Sequence, residues 1–214
     1  IRFFRRNNVE PHIRLPHRIN DGYGLKSHII DEFISKGTDL LITVDSGVGS
    51  VSEIAKAKNA GVDVIVTDHH HIGKNIPPAI AIVHPDFSDL PLPHPSGSGV
   101  VYHLLRALED GVWDDMQTDE ALAMLGMIAD VMELKGFNRT LVKQGLNSIK
   151  KLTEGPLVEL IRISGININY ITSTDIGFRI APRINAAGRM GDPMIALKAL
   201  MDGGDAIKLI DNLN

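Results

Sequence analysis

The sequence predicts an α/β fold in which a parallel β-sheet flanked by helices is followed by a mainly helical cap. Leu40–Val44 and residues 62–66 are apolar runs of strand length, rich in β-branched side chains. Between them, residues 51–60 have helical spacing and Gly61 suits a helix C-terminus. A strand–helix–strand crossover of this kind is almost always right-handed, which makes its strands parallel. From Thr118 onward the apolar spacing is helical, and this predicts the cap.

The remaining elements follow in order. Residues 1–38 read as the tail of a helix, a short strand at 9–15 and a helix at 26–36. The helix carries the stripe Ile29, Ile30, Phe33 and Ile34 and closes at Gly37, and Asn20-Asp21-Gly22 signals a turn before it. Pro77-Pro78 breaks the chain ahead of another short strand at 79–83, and residues 87–95 form a loop. Ser96-Gly97-Ser98-Gly99 opens a helix that runs to about Glu109. Thr118 or Asp119 caps an apolar helix at 121–134, and an amphipathic helix follows at 139–152. Pro156 starts a helix that ends near Ser164-Gly165, and residues 172–174 cap a short helix ending at Pro182. Asp192-Pro193 starts the helix at 193–201, and the last helix begins at Asp205. The expected division is an α/β part over 1–112 and a helical part over 113–214.

Composition narrows the chemistry. The 214 residues are 43% apolar and carry a net charge of −4, with 9 His and no Cys. The absence of Cys excludes a disulfide framework and a thiolate metal site, so a metal must sit on His, Asp or Glu. No apolar run is long enough to span a bilayer, and the start lacks the apolar core of a signal peptide. The acidic balance argues against a uniformly basic surface but leaves room for a local basic groove.

Asp45 ends the first apolar run and Asp68 the second, with His69 and His70 directly after. Parallel strands bring all four to the carboxyl edge, where open α/β sheets bind ligands. Two carboxylates and two imidazoles there make a metal site. Ser46-Gly47 and Gly49-Ser50 are also good turn residues, so for Asp45 alone a turn-capping role is the alternative. Asp130 lies in GMIADVMEL, inside an apolar helix, where a carboxylate must be paired, protonated or metal-bound; the alternative is a solvent-facing or helix-end position. The stretch IGFRIAPRINAAGRMGDP, residues 176–193, sets Arg179, Arg183 and Arg189 among Gly, Ala and Pro and is too rich in them to be only a helix. Arginines on such turns let a phosphate backbone approach; equally, they brace carbonyls and acids. The backbone N–H groups around Ser98 and Gly99 can cradle phosphate, although close helix–sheet packing uses glycine as well.

VDSG, TDHH, SGSGVVYHL, GMIADVMEL and RIAPRINAAGRM occur in this order. Together they resemble the DHH phosphoesterase superfamily, and within it the exonucleases specific for single-stranded DNA. NDGYGLK resembles the segment before the family's second motif, and the resemblance covers essentially the whole chain. It implies a cytoplasmic phosphodiesterase of DNA repair and recombination that removes 5′ nucleotides from single-stranded DNA. Two Mn²⁺ or Mg²⁺ ions, about 3.5–4 Å apart, would activate a water and stabilise the leaving oxygen.

By the same resemblance, Asp45 bridges the two cations, and His69 and Asp130 are ligands of one. Asp68 lies near the metals or orients a histidine. His70 faces the scissile phosphate, and Arg183 and Arg189 lie in the motif near the DNA path. His71 and His84 stand where Leu and Asn are commoner. The resemblance also places a first Asp-x-Asp motif before Ile1 and further domains after Asn214, so the chain reads as the middle of a catalytic core. Alone it is expected to be nearly inactive and to hold at most one cation tightly. A single-strand-binding protein or a helicase is the expected protein partner, with no membrane contact. The rival readings are a short DHH phosphodiesterase for oligonucleotides or cyclic dinucleotides, disfavoured by PRINAAGRM, and a replication scaffold without metal ligands. A Rossmann-type domain lacks its G-x-G-x-x-G here.

Overall fold

The computed structural model describes residues 1–17, 21–22, 24–190 and 192–212, with the side chains of Arg189 and Met190 excepted. Within these residues three strands pair in chain order: β1 (Leu40–Val44), β2 (Asp63–Thr67) and β3 (Ala81–Val83). Both pairings are parallel, with Val44 opposite Thr67 and Thr67 opposite Val83 at the carboxyl edge. Helix α1 (Arg2–Arg6) opens the chain and α2 (Ser27–Ser35) lies before the sheet. The crossover from β1 to β2 is α3 (Val51–Asn59). Ile30, Ile54, Ala57 and Val66 are at most 1% exposed and form the centre of the core between sheet and helices.

Residues 9–15 do not form the expected strand. Pro11 interrupts the run and donates no hydrogen bond to a ladder. Arg14 instead pairs with Asp21 (2.9 Å) and Glu32 (3.4 Å).

Helix α4 (Gly97–Leu108) joins the two halves, packing on the sheet on one side and on α5 (Met116–Ala129) on the other. The helical half continues with α6 (Gly136–Ile149) and α7 (Pro156–Ile163). After α8 (Ser173–Asp175) and a wide π-helical turn at Ile176–Ile180 come α9 (Ala181–Met190), α10 (Pro193–Met201) and α11 (Asp205–Asn212). A second core, including Met124, Leu141, Leu160, Ile176 and Ile207, lies among these helices. Helices α5 and α6 pack closely at Gly145, where a Cβ would sit 2.8 Å from the Glu120 carbonyl. The Tyr102 hydroxyl on α4 donates to Glu120 (3.1 Å), and burial with that carboxylate pushes the phenol up to about 12.

Three expectations for this half are corrected. Helix α5 starts at Met116 behind Asp115, because Asp119 is turned inward to accept from Arg2, Arg6 and Trp113. The same helix ends at Ala129, which makes Asp130 its C-cap and not an interior residue. Residues 173–190 are helical throughout, although they are rich in Gly, Ala and Pro. Pro182 would crowd the carbonyl of Phe178 in a regular helix, and the wide turn just before it accommodates the ring. Of the small residues, Ala181 and Ala187 are buried.

Asp119 is 6% exposed and tethers α1 to α5, accepting from Arg2 Nε (2.6 Å), Arg6 Nη1 (2.8 Å) and Trp113 Nε1 (2.8 Å). Removing one partner of such a cluster leaves charges uncompensated. Asp119→Ala is expected to lower stability by about 3 kcal/mol in denaturant unfolding. A loss no larger than that of an exposed-site substitution would show that the tether contributes little.

Candidate metal centre

The sheet delivers Asp45, Asp68 and His84 to one edge, each directly after its strand. Asp45 leaves β1 with φ 58°, a left-handed turn that Asp tolerates better than most residues. Its N–H still donates to the Thr67 carbonyl (2.9 Å), so the turn falls just past the ladder. The Asp45 Oδ1 lies 3.1 Å from His69 Nε2. From the other half, Asp130 brings Oδ2 within 3.4 Å of the same nitrogen. His69 is only 10% exposed, and its Nε2 is a buried atom with no well-directed hydrogen bond among the described residues. A buried imidazole nitrogen flanked by two carboxylate oxygens fits a divalent cation, which needs no donor angle. Asp45, His69 and His70 each offer a ligand atom within 4.8 Å of the others.

Asp68 does something different. It is 1% exposed, and both its oxygens accept hydrogen bonds. Oδ2 takes the Val48 N–H (2.9 Å), while Oδ1 takes the N–H groups of His69 (2.8 Å) and His70 (3.2 Å) and the Nδ1 of His70 (2.7 Å). Burial pushes this carboxyl up, but the Val48 and His70 donors outweigh it and hold it below the usual carboxylate range. Expected both as a ligand and as an orienting residue, Asp68 has the geometry of the second role. It keeps the His70 proton on Nδ1 and leaves Nε2 as the outward lone pair. His84, 4% exposed, braces the same turn by donating from Nε2 to the His70 carbonyl (2.8 Å) and accepting from Asp86 N–H (3.1 Å).

The Gly/Ser turn before α4 is spent on packing. Ser96 caps the helix, accepting from Gly99 N–H (3.4 Å), and Ser98 donates to the Ala123 carbonyl on α5 (3.0 Å). A Cβ on Gly99 would lie 2.6 Å from Pro95 and 2.7 Å from Met127. Gly97 is the residue that meets the centre, since its Cβ would lie 2.6 Å from the Cβ of Asp45. Arg183 is engaged inside the cap by Asp211 (3.2 Å) and the Arg179 carbonyl (2.7 Å), and Arg179 donates to the Ser164 carbonyl (2.6 Å). The side chain of Arg189 lies outside the described residues.

The structure brings Asp45, His69, His70 and Asp130 to one edge; sequence reasoning gave no role to Gly97 or Val131 and took His84 only as a departure from a commoner Asn. For Gly97 the signal was the G-x-G spacing, read one glycine too late. Val131 takes φ 56° just after Asp130, and nothing in the sequence marks a β-branched residue for that conformation. The left-handed backbone costs such a residue about 1–2 kcal/mol.

Two outcomes follow from this geometry. Gly97→Ala is expected to lower the melting temperature of the metal-free chain, because its Cβ would lie 2.6 Å from that of Asp45, and to weaken Mn²⁺ binding about tenfold or more, as read by calorimetric titration. Unchanged affinity would show that Asp45 has room to move. The second outcome concerns pH. Contact with Asp45 raises the pKa of His69 against the opposing effect of burial, with Asp130 and Asp68 adding to the rise. A raised folded-state pKa stabilises fully below the ordinary imidazole value of 6.5, and the benefit fades as pH climbs through the raised value. In metal-free protein the melting-temperature advantage of the parent over Asp45→Asn should therefore shrink from about pH 6 to about pH 8. An advantage that grows with pH would contradict the pairing.

The chain is similar to known proteins over most of its length. The family model described as the DHH family, N-terminal domain, matches residues 1–131. The chain is 37% identical to the single-stranded-DNA-specific exonuclease RecJ of Salmonella typhimurium over 93% of its own length and 36% of the relative's. It is 38% identical to the Thermus thermophilus RecJ over 96% of its length and 31% of the relative's. A crystal structure of exonuclease RecJ bound to manganese superposes with a TM-score of 0.88 at 37% identity, covering 99% of this chain and 55% of that one. The Thermus thermophilus RecJ in complex with Mn²⁺ gives 0.77 at 38% identity, covering 88% of this chain and 29% of that one. The chain thus spans about a third of the length of these curated relatives. With more than half of its residues inside the matched domain and the motif histidines on the edge of its sheet, this chain belongs to the DHH family.

Proposed function

We propose that the protein carrying this chain is a metal-dependent exonuclease that removes 5′ nucleotides from single-stranded DNA. The observation that carries the proposal is the His69 nitrogen, buried without a directed donor between Asp45 and Asp130. The relatives that share this chain's sequence are named exonucleases specific for single-stranded DNA, and two of their structures hold manganese.

In this reading Asp45, His69 and Asp130 hold a divalent cation, Mn²⁺ or Mg²⁺, with Asp45 placed to share a second. Bound there, the metal supplies a nucleophilic water near neutral pH and neutralises charge on the leaving oxygen. Asp68 fixes the tautomer of His70, whose Nε2 is left to meet the phosphate. Gly97 leaves the space that Asp45 occupies. Residues 1–112 and 113–214 act as two parts of one catalytic core, because Asp130 completes the cluster begun by the sheet. No helix among the described residues is long and apolar enough to cross a membrane. We place the protein in the cytoplasm, where a single-strand-binding protein or a helicase would supply its substrate.

The test is hydrolysis of a 5′-labelled single strand by the complete protein. EDTA should stop it, and Asp45→Ala should reduce it at least about a hundredfold, since one carboxylate serves the metal site and its water. Duplex DNA should be spared. Near-parental turnover by a folded Asp45→Ala protein would overturn the assignment. Preference for dinucleotides over long strands would favour a short-substrate phosphodiesterase instead.

A further inference from the structure

Among the described residues, helices α1, α2, α3, α5 and α7 close on the same hydrogen-bond pattern, in which the residue after the C-cap adopts left-handed backbone, Asn8 (φ 58°) in α1. Helices α2, α3 and α7 place glycine there: Gly37 (φ 69°), Gly61 (φ 83°) and Gly165 (φ 66°). Helix α5 places Val131 there at φ 56°, with its N–H on the Ile128 carbonyl (3.1 Å) and the Met132 N–H on Met127 (3.3 Å). A β-branched residue is a poor choice for that conformation. Nor does Val131 recover the cost by burial within the chain, since it is 88% exposed. Phe178, on the wide turn before α9, is 81% exposed. Both side chains line one cleft of about 770 Å³. Its lining is largely apolar, with Ser173, Thr174 and Asn185 as polar groups. The cleft lies beside the metal centre, because Ala129 and Val131, on either side of Asp130, belong to its wall.

We infer that this cleft takes a nucleobase of the single strand, next to the phosphate held at Asp45, His69 and Asp130, with Phe178 as the stacking face and Val131 packed against the same nucleoside. The inference rests on the function proposed above and extends it to a base subsite. Its position beside Asp130 selects a nucleotide as occupant, the phosphate at the metal centre and the base in the cleft. An exposed aromatic ring stacks on any base, and the few polar groups match binding without a strong sequence preference. Bases of a duplex are already stacked and paired, so the cleft favours single strands. Strain retained beside a reacting centre, with little burial among the described residues to repay it, is the pattern of a ligand-facing residue.

The test uses the complete protein with Mn²⁺ and a single strand made resistant by phosphorothioate linkages, read by fluorescence anisotropy. Phe178→Ala should weaken binding about tenfold, and Phe178→Tyr should restore it. A strand lacking bases at its 5′ end should bind the parent weakly and show no further loss with Phe178→Ala. Val131→Gly should raise the melting temperature by relieving the backbone and yet weaken binding of the intact strand. Variants that bind intact and abasic strands as the parent does would overturn the subsite while leaving the exonuclease reading in place, and would point to another segment of the protein covering the cleft. A parent that does not bind single strands would overturn both.

Discussion

The centre depends on one buried carboxylate. Asp68 sits at the end of β2, almost without solvent, and collects the Val48 N–H from the loop after β1 together with three donors from His69 and His70. Charge-assisted bonds of this kind are roughly twice as strong as neutral ones, and leaving a charge buried without them is costly. The loop after β1 and the turn after β2 therefore hold each other in place. Adjacent histidines in an extended strand would point to opposite faces. Here the backbone turns around Asp68, and the two rings lie 4.5 Å apart at one edge.

The last carboxylate reaches this edge through helix packing. Helix α4 comes close to β1 because Gly97 has no side chain to strike Asp45, and α5 comes close to α4 because Gly126 leaves room for Ser98. The Ser98 hydroxyl then ties the two helices through the Ala123 carbonyl. The C-terminus of α5 is thereby placed so that Asp130 meets His69. A few small residues set a distance between two hydrophobic cores, and the metal centre lies where those cores join.

Much of this was legible in the sequence. The strands at 40–44 and 62–66 announce themselves by β-branched runs, and a helix between them forces the parallel order that gathers Asp45, Asp68 and the histidines. Caps of local chemistry, such as Thr172 ahead of the short helix and Asp192 with Pro193, also stood out and are present. What failed depended on tertiary contacts. Residues 9–15 alternate like a strand, but Pro11 breaks the ladder. Asp130 looked interior because its neighbours are apolar, whereas the helix ends at Ala129 and Val131 turns left-handed, which no local propensity favours. The Gly, Ala and Pro of residues 176–193 looked like a loop, because composition alone does not show that a wide turn can absorb Pro182 or that Ala187 packs against other helices. Arg183 illustrates the same limit: its guanidinium is engaged by Asp211, 28 residues away in the chain.

The central claim is that the edge formed by Asp45, His69, His70 and Asp130 holds a divalent cation. Paramagnetic broadening by Mn²⁺ tests it most directly. Titrated into the isotopically labelled chain at substoichiometric levels, Mn²⁺ should broaden the imidazole resonances of His69 and His70 first, together with the backbone signals of Asp45 and Asp130, and leave sharp His12 and His28, which pair with Glu32 and Asp21 at helix α2. Broadening that begins at His12 and His28, or spreads evenly over the exposed acids, would contradict the account.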